Sequence, residues 1–429
     1  MENNYYVLGI DEAGYGPDIG PLVVTSSLFK INEDNEFSKK YDTKKFWKAF
    51  SKIVSKKTKR FPEKVIVSDS KDIFKNHPKN YLIGETTVLC FYSLLHSLPL
   101  NFQEFLQNIF LDNLGLFQKR CKTFGKYTYR MCWGNNNENN IKNSISDNNN
   151  SSVSSSFSNV KDISINNDCS EYENNQNYNF FTKYPLNSKN LDPTPFINNL
   201  FPKLKRVMKD SGIDLIDIKS IVLCPNLYNE SITKKGKLFL NYLQFDRLIE
   251  NALKRILVEN ISVKDKKDTV KLEKKYKKET RNFKKNEQKN NLNSIFVIAD
   301  KLGSKKHYIN YLKSGLLGDF NIKVLEQSRD ISTYKLSNNS EIRISFIKEG
   351  DKIHFPIALS SVFSKYIRER FIKNINEFFA TKIQNLEPTK GYAYKIEKFI
   401  EVTNDVRKKY NINTDCFLRK RDNLLHLFD

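Results

Sequence analysis

Apolar residues gather early in the chain into two short β-branched and aromatic runs, YYVLGI at 5–10 and PLVVTSSLF at 21–29, separated by a turn rich in glycine and proline. That pattern predicts two buried strands. KVIVSD at 64–69 and SIFVIAD at 294–300 are continuous apolar runs that each end in an aspartate, which suits strands covered on both faces. The period then lengthens. ETTVLCFYSLLHSL at 85–98, FLNYLQFDRLIENALKRILV at 239–258 and FPIALSSVFSKYIRERFIKNINEFF at 355–379 predict helices. In the last, Pro356 suits a first helical turn, and Ile357, Phe363, Ile367, Phe371 and Phe378 recur at roughly helical spacing. Strands come first, then strands alternating with helices, then helices, an order that predicts an α/β architecture around a mixed sheet.

Two segments carry no such pattern. Residues 134–179 form an Asn/Ser tract and 264–291 a Lys-rich run that is almost all charge. Both read as low-complexity insertions in one domain spanning 1–429, because neither can bury a core. The Lys-rich run suits a solvated loop better than a nucleic-acid arm.

Composition adds a partner class. Lys+Arg number 71 against 49 Asp+Glu, a formal charge of +22, and such an excess predicts attraction to polyanions, nucleic acid first. The 31 Phe and 21 Tyr supply enough apolar surface for a sizeable core. No run of about 18 apolar residues and no signal peptide is present, so the expectation is a soluble intracellular protein of the cytoplasm or nucleus, without a membrane partner. Six cysteines show neither a CxxC pair nor a Cys/His cluster at zinc spacing and read as reduced thiols.

The chemistry lies in the acids. Asp11 and Glu12 stand side by side at the end of the first strand, with Gly14 and Gly16 giving the following turn room for positive φ and for close approach of another backbone. Adjacent side chains of an extended chain point to opposite faces, so these two share a cation only if the strand bends. Asp300 ends a second strand and Asp351 follows a third, and functional groups in α/β proteins collect at such strand ends. Four converging carboxylates need cations to offset their repulsion, and Mg²⁺ suits an all-oxygen donor set without His or Cys. Spacing by itself does not bring the four together.

GIDEAGYGPDIGPLVV at 9–24 resembles the opening motif of type 2 ribonucleases H, the family of ribonuclease HII and the catalytic subunit of eukaryotic ribonuclease H2. Further segments resemble the family in its own order: SDSKDIF at 68–74, VIADKLGSKKHYINYL at 297–312, KEGDKIHFPIALSSVFSKYIRER at 348–370 and TKGYAYKIEKFIE at 389–401, with a weaker likeness over 224–253. The resemblance implies a ribonuclease H-like fold, a mixed five-stranded sheet flanked by helices with extra C-terminal helices. It also implies a Mg²⁺- or Mn²⁺-dependent endonuclease that cuts the RNA strand of RNA–DNA hybrids, and also at single ribonucleotides in DNA, leaving a 5′-phosphate and a 3′-hydroxyl.

On the same resemblance Asp11, Glu12, Asp300 and Asp351 would bind the metal. Gly14 and Gly16 would let the backbone reach a 2′-hydroxyl, Tyr392 would stack on the sugar, and Lys71, Ser361, Lys365 and Arg368 would lie near phosphates. The last three are spaced i, i+4, i+7 on one helix face. Three departures stand out. Tyr15 replaces the family's arginine between the glycines, which puts recognition of an isolated ribonucleotide in question. Glu369 replaces a final aspartate, and Leu359 and Ser360 lie where the family has small residues. Two other readings stay open: a non-catalytic nucleic-acid-binding protein on the same fold, and a ribonuclease H-like nuclease acting on DNA. Whether accessory subunits assist is also open.

Overall fold

The computed structural model describes residues 4–32, 43–74, 78–100, 102–112, 192–232, 236–262, 294–337 and 341–420. Both low-complexity segments, 134–179 and 264–291, lie outside the described residues, as do Cys121, Cys132 and Cys169. Cys90 is a buried free thiol.

A seven-stranded sheet forms the centre. Strands β1 (Tyr5–Ala13) and β2 (Leu22–Ile31) pair antiparallel, Tyr5 opposite Ile31 and Ala13 opposite Val23. Strand β3 (Ile213–Leu223) pairs antiparallel with the far edge of β2. On the other side β4 (Ile295–Asp300) runs parallel to β1. Strands β5 (Asn321–Gln327), β6 (Ile331–Ser337) and β7 (Glu341–Ile347) form an antiparallel meander whose last strand lies parallel to β4. The order is β3-β2-β1-β4-β7-β6-β5. The mixed α/β architecture is as read from the chain, while the sheet has seven strands where five were expected. Strands β3, β5 and β6 are those the hydrophobic pattern did not predict. Strand β5 is exposed along nearly its whole length, and its alternation of Ile322 and Val324 with Asn321 and Lys323 breaks at Leu325, too short a run from which to read a strand.

A second correction concerns KVIVSD. Only Val65 and Ile66 are in strand conformation, paired with Val54 and Ser55 in a separate two-stranded sheet. The run is apolar because it packs inside the core, not because it belongs to the main sheet.

Helices cover both faces. Helix α1 (Pro78–Tyr92), α2 (Gly236–Ser262) and α3 (Phe355–Ala380) are the principal ones. One apolar cluster joins Val7, Val23 and Phe29 to α3; the other joins Tyr6, Leu8 and Ile10 to α2 through Tyr242, Phe245 and Leu248. Alternation along β1 therefore decides which helix each residue meets.

Helix α3 rests directly on β1 because Gly9 has no side chain. A Cβ there would lie 2.3 Å from the Pro356 carbonyl carbon. Serines finish the junction: Ser360 Oγ donates to the Gly9 carbonyl at 3.0 Å, Ser364 Oγ to the Asp11 carbonyl at 3.1 Å, and Ser27 Oγ to the Pro356 carbonyl at 2.9 Å.

The periodic apolar face predicted for α3 is present, yet its polar face is buried as well. Arg368, Glu369, Arg370 and Lys373 are all under 9% exposed. They meet polar groups on α1, where Tyr81 donates to Glu369 at 3.1 Å and Tyr366 of α3 donates to Glu85 at 2.8 Å. Such burial is tolerated because each charge finds a partner. Among the described residues no helix is long and apolar enough to cross a membrane.

Candidate metal-binding and active site

Three parallel strands end together. Asp11 lies near the end of β1, Asp300 is the last residue of β4, and Asp351 sits in the single helical turn Gly350–Ile353 just beyond β7. Strand β1 continues through Glu12 to Ala13, so Asp11 does not terminate it as the sequence suggested. Asp300 is in register with Ile347, the final residue of β7, and Ile10 with Ala299. The four acids accordingly lie along one edge of the sheet.

Their ionisation records this proximity. Burial, then the charges of Asp300 and Glu12, push the Asp11 carboxyl well above its ordinary range; a hydrogen bond from Ser361 works the other way. Burial, then Asp300, raises Glu12 to about 8. Asp300 is raised to about 6 by burial, partly offset by the Gly350 amide, which donates to its Oδ1 at 2.8 Å. Asp351 is raised by burial and then by Asp69. A cluster of that kind holds protons or takes a cation.

Whether a cation fits has a mixed answer in the geometry. The donor set is chemically suited, being four carboxylates, and Glu12 Oε2 is buried with no hydrogen-bond partner. Among the described residues, however, no group of three or more His, Cys, Asp or Glu side chains is already arranged to hold a metal ion. Alternation explains the difference. Asp11 and Asp300 belong to the α3 face of the sheet, with Val7 and Ile298, whereas Glu12 follows Tyr6, Leu8 and Ile10 on the α2 face. The residues fit the ion in kind, and Glu12 has to approach from across the strand.

The loop from Gly14 to Pro21 is held open by glycines and clamped from outside. Gly14 has φ +91°, and a Cβ on it would lie 2.4 Å from the Pro21 carbonyl oxygen. Gly16 has no positive φ; a Cβ there would meet only the Tyr392 ring, at 3.9 Å. Gly16 and the 38%-exposed Tyr392 thus face each other across a narrow slot. The Asp18 amide donates to the Gly391 carbonyl at 2.8 Å, tying the two sides of the slot together.

The expected phosphate contacts divide. Lys71 is exposed and near enough to Asp300 and Asp351 to hold their charged forms down in pKa. Its backbone amide is capped by Asp69 Oδ1 at 2.9 Å. Ser361 is buried, shares a hydrogen bond with Ser70 at 3.0 Å and also reaches Asp11, linking the 68–74 segment to the first acid. Lys365 pairs with Glu369 at 2.7 Å. Arg368 is only 1% exposed and gives its Nη2 to the carbonyls of Lys390 at 2.9 Å and Ile19 at 3.4 Å. It braces the slot from within, so its place in the fold is a scaffold for Gly14 and Tyr392 rather than an open phosphate contact.

Several contributors were not legible in the motifs. Lys237, at the start of α2, places its ammonium 4.2 Å from the centre of the Tyr15 ring, setting a cation beside the residue that stands between Gly14 and Gly16. Asn241, one helical turn on, lies against Glu12. Tyr308 accepts the Leu302 amide at 3.0 Å and stacks on Phe346, fixing the loop after Asp300. Arg419 donates to the Pro17 carbonyl and its amide to that of Asp18, clamping the glycine loop from the C-terminal side. Lys237, Asn241 and Arg419 act through contacts between distant segments, for which local sequence carries no signal, whereas Tyr308 lies within the 297–312 segment already singled out. No protein-family model matches the chain, and no curated protein matches it significantly.

Proposed function

We propose that this protein is a divalent-metal-dependent endonuclease that hydrolyses the RNA strand of RNA–DNA hybrids, in the manner of type 2 ribonucleases H. The observation that carries the reading is the arrival of Asp11, Asp300 and Asp351 at the ends of three adjacent parallel strands, with Glu12 beside them. The partial strand order β3-β2-β1-β4-β7, antiparallel over the first three strands and parallel over the last three, supports a ribonuclease H-like core to which β5 and β6 are added.

Asp11, Glu12, Asp300 and Asp351 would hold Mg²⁺ or Mn²⁺. When bound, the ion supplies Lewis acidity at a phosphodiester and lowers the pKa of water. The remaining chemistry belongs to the chain. Gly16 admits a sugar where any larger residue would narrow the slot, and Tyr392 offers a ring face to it. Lys71 and the Lys237–Tyr15 pair border the acids with positive charge suited to neighbouring phosphates. The net charge of +22 draws the polyanion in.

The test is cleavage of three labelled duplexes by the purified chain with Mg²⁺ and with Mn²⁺: a uniform RNA–DNA hybrid, DNA carrying one ribonucleotide, and all-DNA. Metal-dependent cutting at ribonucleotides that vanishes in Asp11→Asn supports the reading. Cutting of all-DNA sinks the substrate assignment, and salt-sensitive binding without cutting leaves a non-catalytic binder.

A further inference from the structure

Lys301 follows Asp300 directly, is only 7% exposed, and gives its ammonium to the backbone of another element. Its Nζ donates to the Ser328 carbonyl at 3.0 Å and to the Arg329 carbonyl at 2.9 Å, holding the turn between β5 and β6. Two further bonds fasten the same turn. The Lys348 amide donates to the Asp330 carbonyl at 2.8 Å, and Ser332 Oγ donates to the Lys306 carbonyl at 2.7 Å. The anchors come from the segments just after Asp300 and just before Asp351.

Register sets where the turn stands. Asp300 pairs with Ile347 and Ile347 with Ile331, so the three lie in one row across the sheet, and the turn at 328–330 opens at the edge that carries the acids. Two strand spacings, about 10 Å, separate Ile331 from Asp300. That is about three base-pair rises of a duplex. The turn is also cationic. Arg329 and Lys306 are exposed, and the nearby acids Asp330 and Glu349 are matched by Lys348 at 3.6 Å and Lys352 at 3.0 Å. Strand β5, exposed along most of its length, contributes little to the core. Burying a lysine costs free energy unless its ammonium is hydrogen-bonded, and the bonds made here fix the place of Arg329 relative to Asp300.

We propose that the β5–β6 turn, with Arg329 at its tip and Lys306 beside it, is a second nucleic-acid contact that takes backbone phosphates of the duplex about three base pairs from the acids. This rests on the reading of the acid edge as the place where a duplex is bound and cut. An arginine suits the position because its planar fork can hold one phosphate through two hydrogen bonds. The anchors from Lys301 and Lys348 make the contact a fixed one, set at a constant distance from the acids.

The experiment measures binding of a labelled RNA–DNA hybrid in EDTA over a series of salt concentrations for wild type, Arg329→Ala, Arg329→Glu and Lys323→Ala, with thermal melting of each chain and cleavage with Mn²⁺ alongside. Lys323 is exposed on the same hairpin, about 13 Å along β5 from Gln327, so its variant removes an equal charge away from the acid edge. Arg329→Ala is expected to melt like wild type and to reduce the magnitude of the slope of log K against log salt by about 0.9, one phosphate. Arg329→Glu should lose at least as much, and Lys323→Ala should keep the wild-type slope. Wild-type slopes in both Arg329 variants overturn the proposal. So does an equal loss in Lys323→Ala, which would make the effect one of net charge, and so does a wild type that binds no hybrid. Salt-sensitive binding that depends on Arg329, without cleavage of any ribonucleotide-containing duplex, sinks the nuclease reading alone and leaves the contact standing.

Discussion

Asp300 Oδ1 accepts the Gly350 amide at 2.8 Å, so the end of β4 is tied to the turn that carries Asp351. One bond thereby sets the relation of two acids supplied by different strands. Asp300→Asn retains the acceptor and removes the charge. Its cleavage rate should fall by about three orders of magnitude, equivalent to about 4 kcal/mol of transition-state stabilisation.

The same variant should be more stable than wild type without metal, and the gain should depend on pH. Asp300 titrates near 6 in the folded chain, above its ordinary value of 3.8, so the folded state holds the extra proton between those values. Wild-type stability should fall as pH rises through that window, with the whole deficit present above about pH 6. Denaturation in EDTA at pH 4 and pH 7.5 should show Asp300→Asn level with wild type at the first and ahead by about 1–3 kcal/mol at the second. A gain that is equal at both values would show that the charge of Asp300 is not the cause.

Gly14 and Gly16 should respond differently to alanine. At Gly14 the positive φ and the 2.4 Å approach of the Pro21 oxygen forbid a Cβ, so Gly14→Ala should lose about 1–3 kcal/mol of stability. Gly16→Ala should melt like wild type, because its Cβ would have van der Waals space beside Tyr392. Its effect should appear as a raised KM for hybrid, the slot being narrower. Melting curves and steady-state kinetics on the two variants separate these outcomes.

Lys237, held over the Tyr15 ring, should contact a substrate phosphate. Lys237→Ala should weaken hybrid binding and reduce the magnitude of the salt slope by about one phosphate, roughly 0.9 in log K against log salt. Tyr15→Phe keeps the ring under the ammonium and should leave that slope unchanged. An unchanged slope in Lys237→Ala would remove Lys237 from the substrate surface.

Arg368→Lys should cost stability and substrate affinity together. One nitrogen of the guanidinium, Nη2, serves the carbonyls of both Lys390 and Ile19, and a lysine side chain, one bond shorter, places its ammonium short of them. A loss of about 1–3 kcal/mol is expected from a carbonyl left unpaired in the interior. Because Tyr392 is two residues beyond Lys390, KM for hybrid should rise more than kcat falls.

The chain by itself determined much of the central scaffold. Strands β1, β2 and β4 were legible because their β-branched and aromatic runs are buried on both faces, and the positions of Asp11 and Glu12 near the end of β1 and of Asp300 at the end of β4 followed from the same runs. Gly14 was legible as a turn residue because conformational freedom is a property of one residue.

Tertiary structure decided the rest. Exposed β5 is a strand only because β6 pairs with it, and KVIVSD left the main sheet because the core claimed its side chains. Arg368 reads on the helix as one member of a polar stripe at i, i+4, i+7, and only the loops folded over it convert it into a buried brace. Lys237 and Asn241 reach Tyr15 and Glu12 across more than 200 residues of sequence. Periodicity reports which face of an element is buried, and it contains no information about which distant side chain will stand opposite.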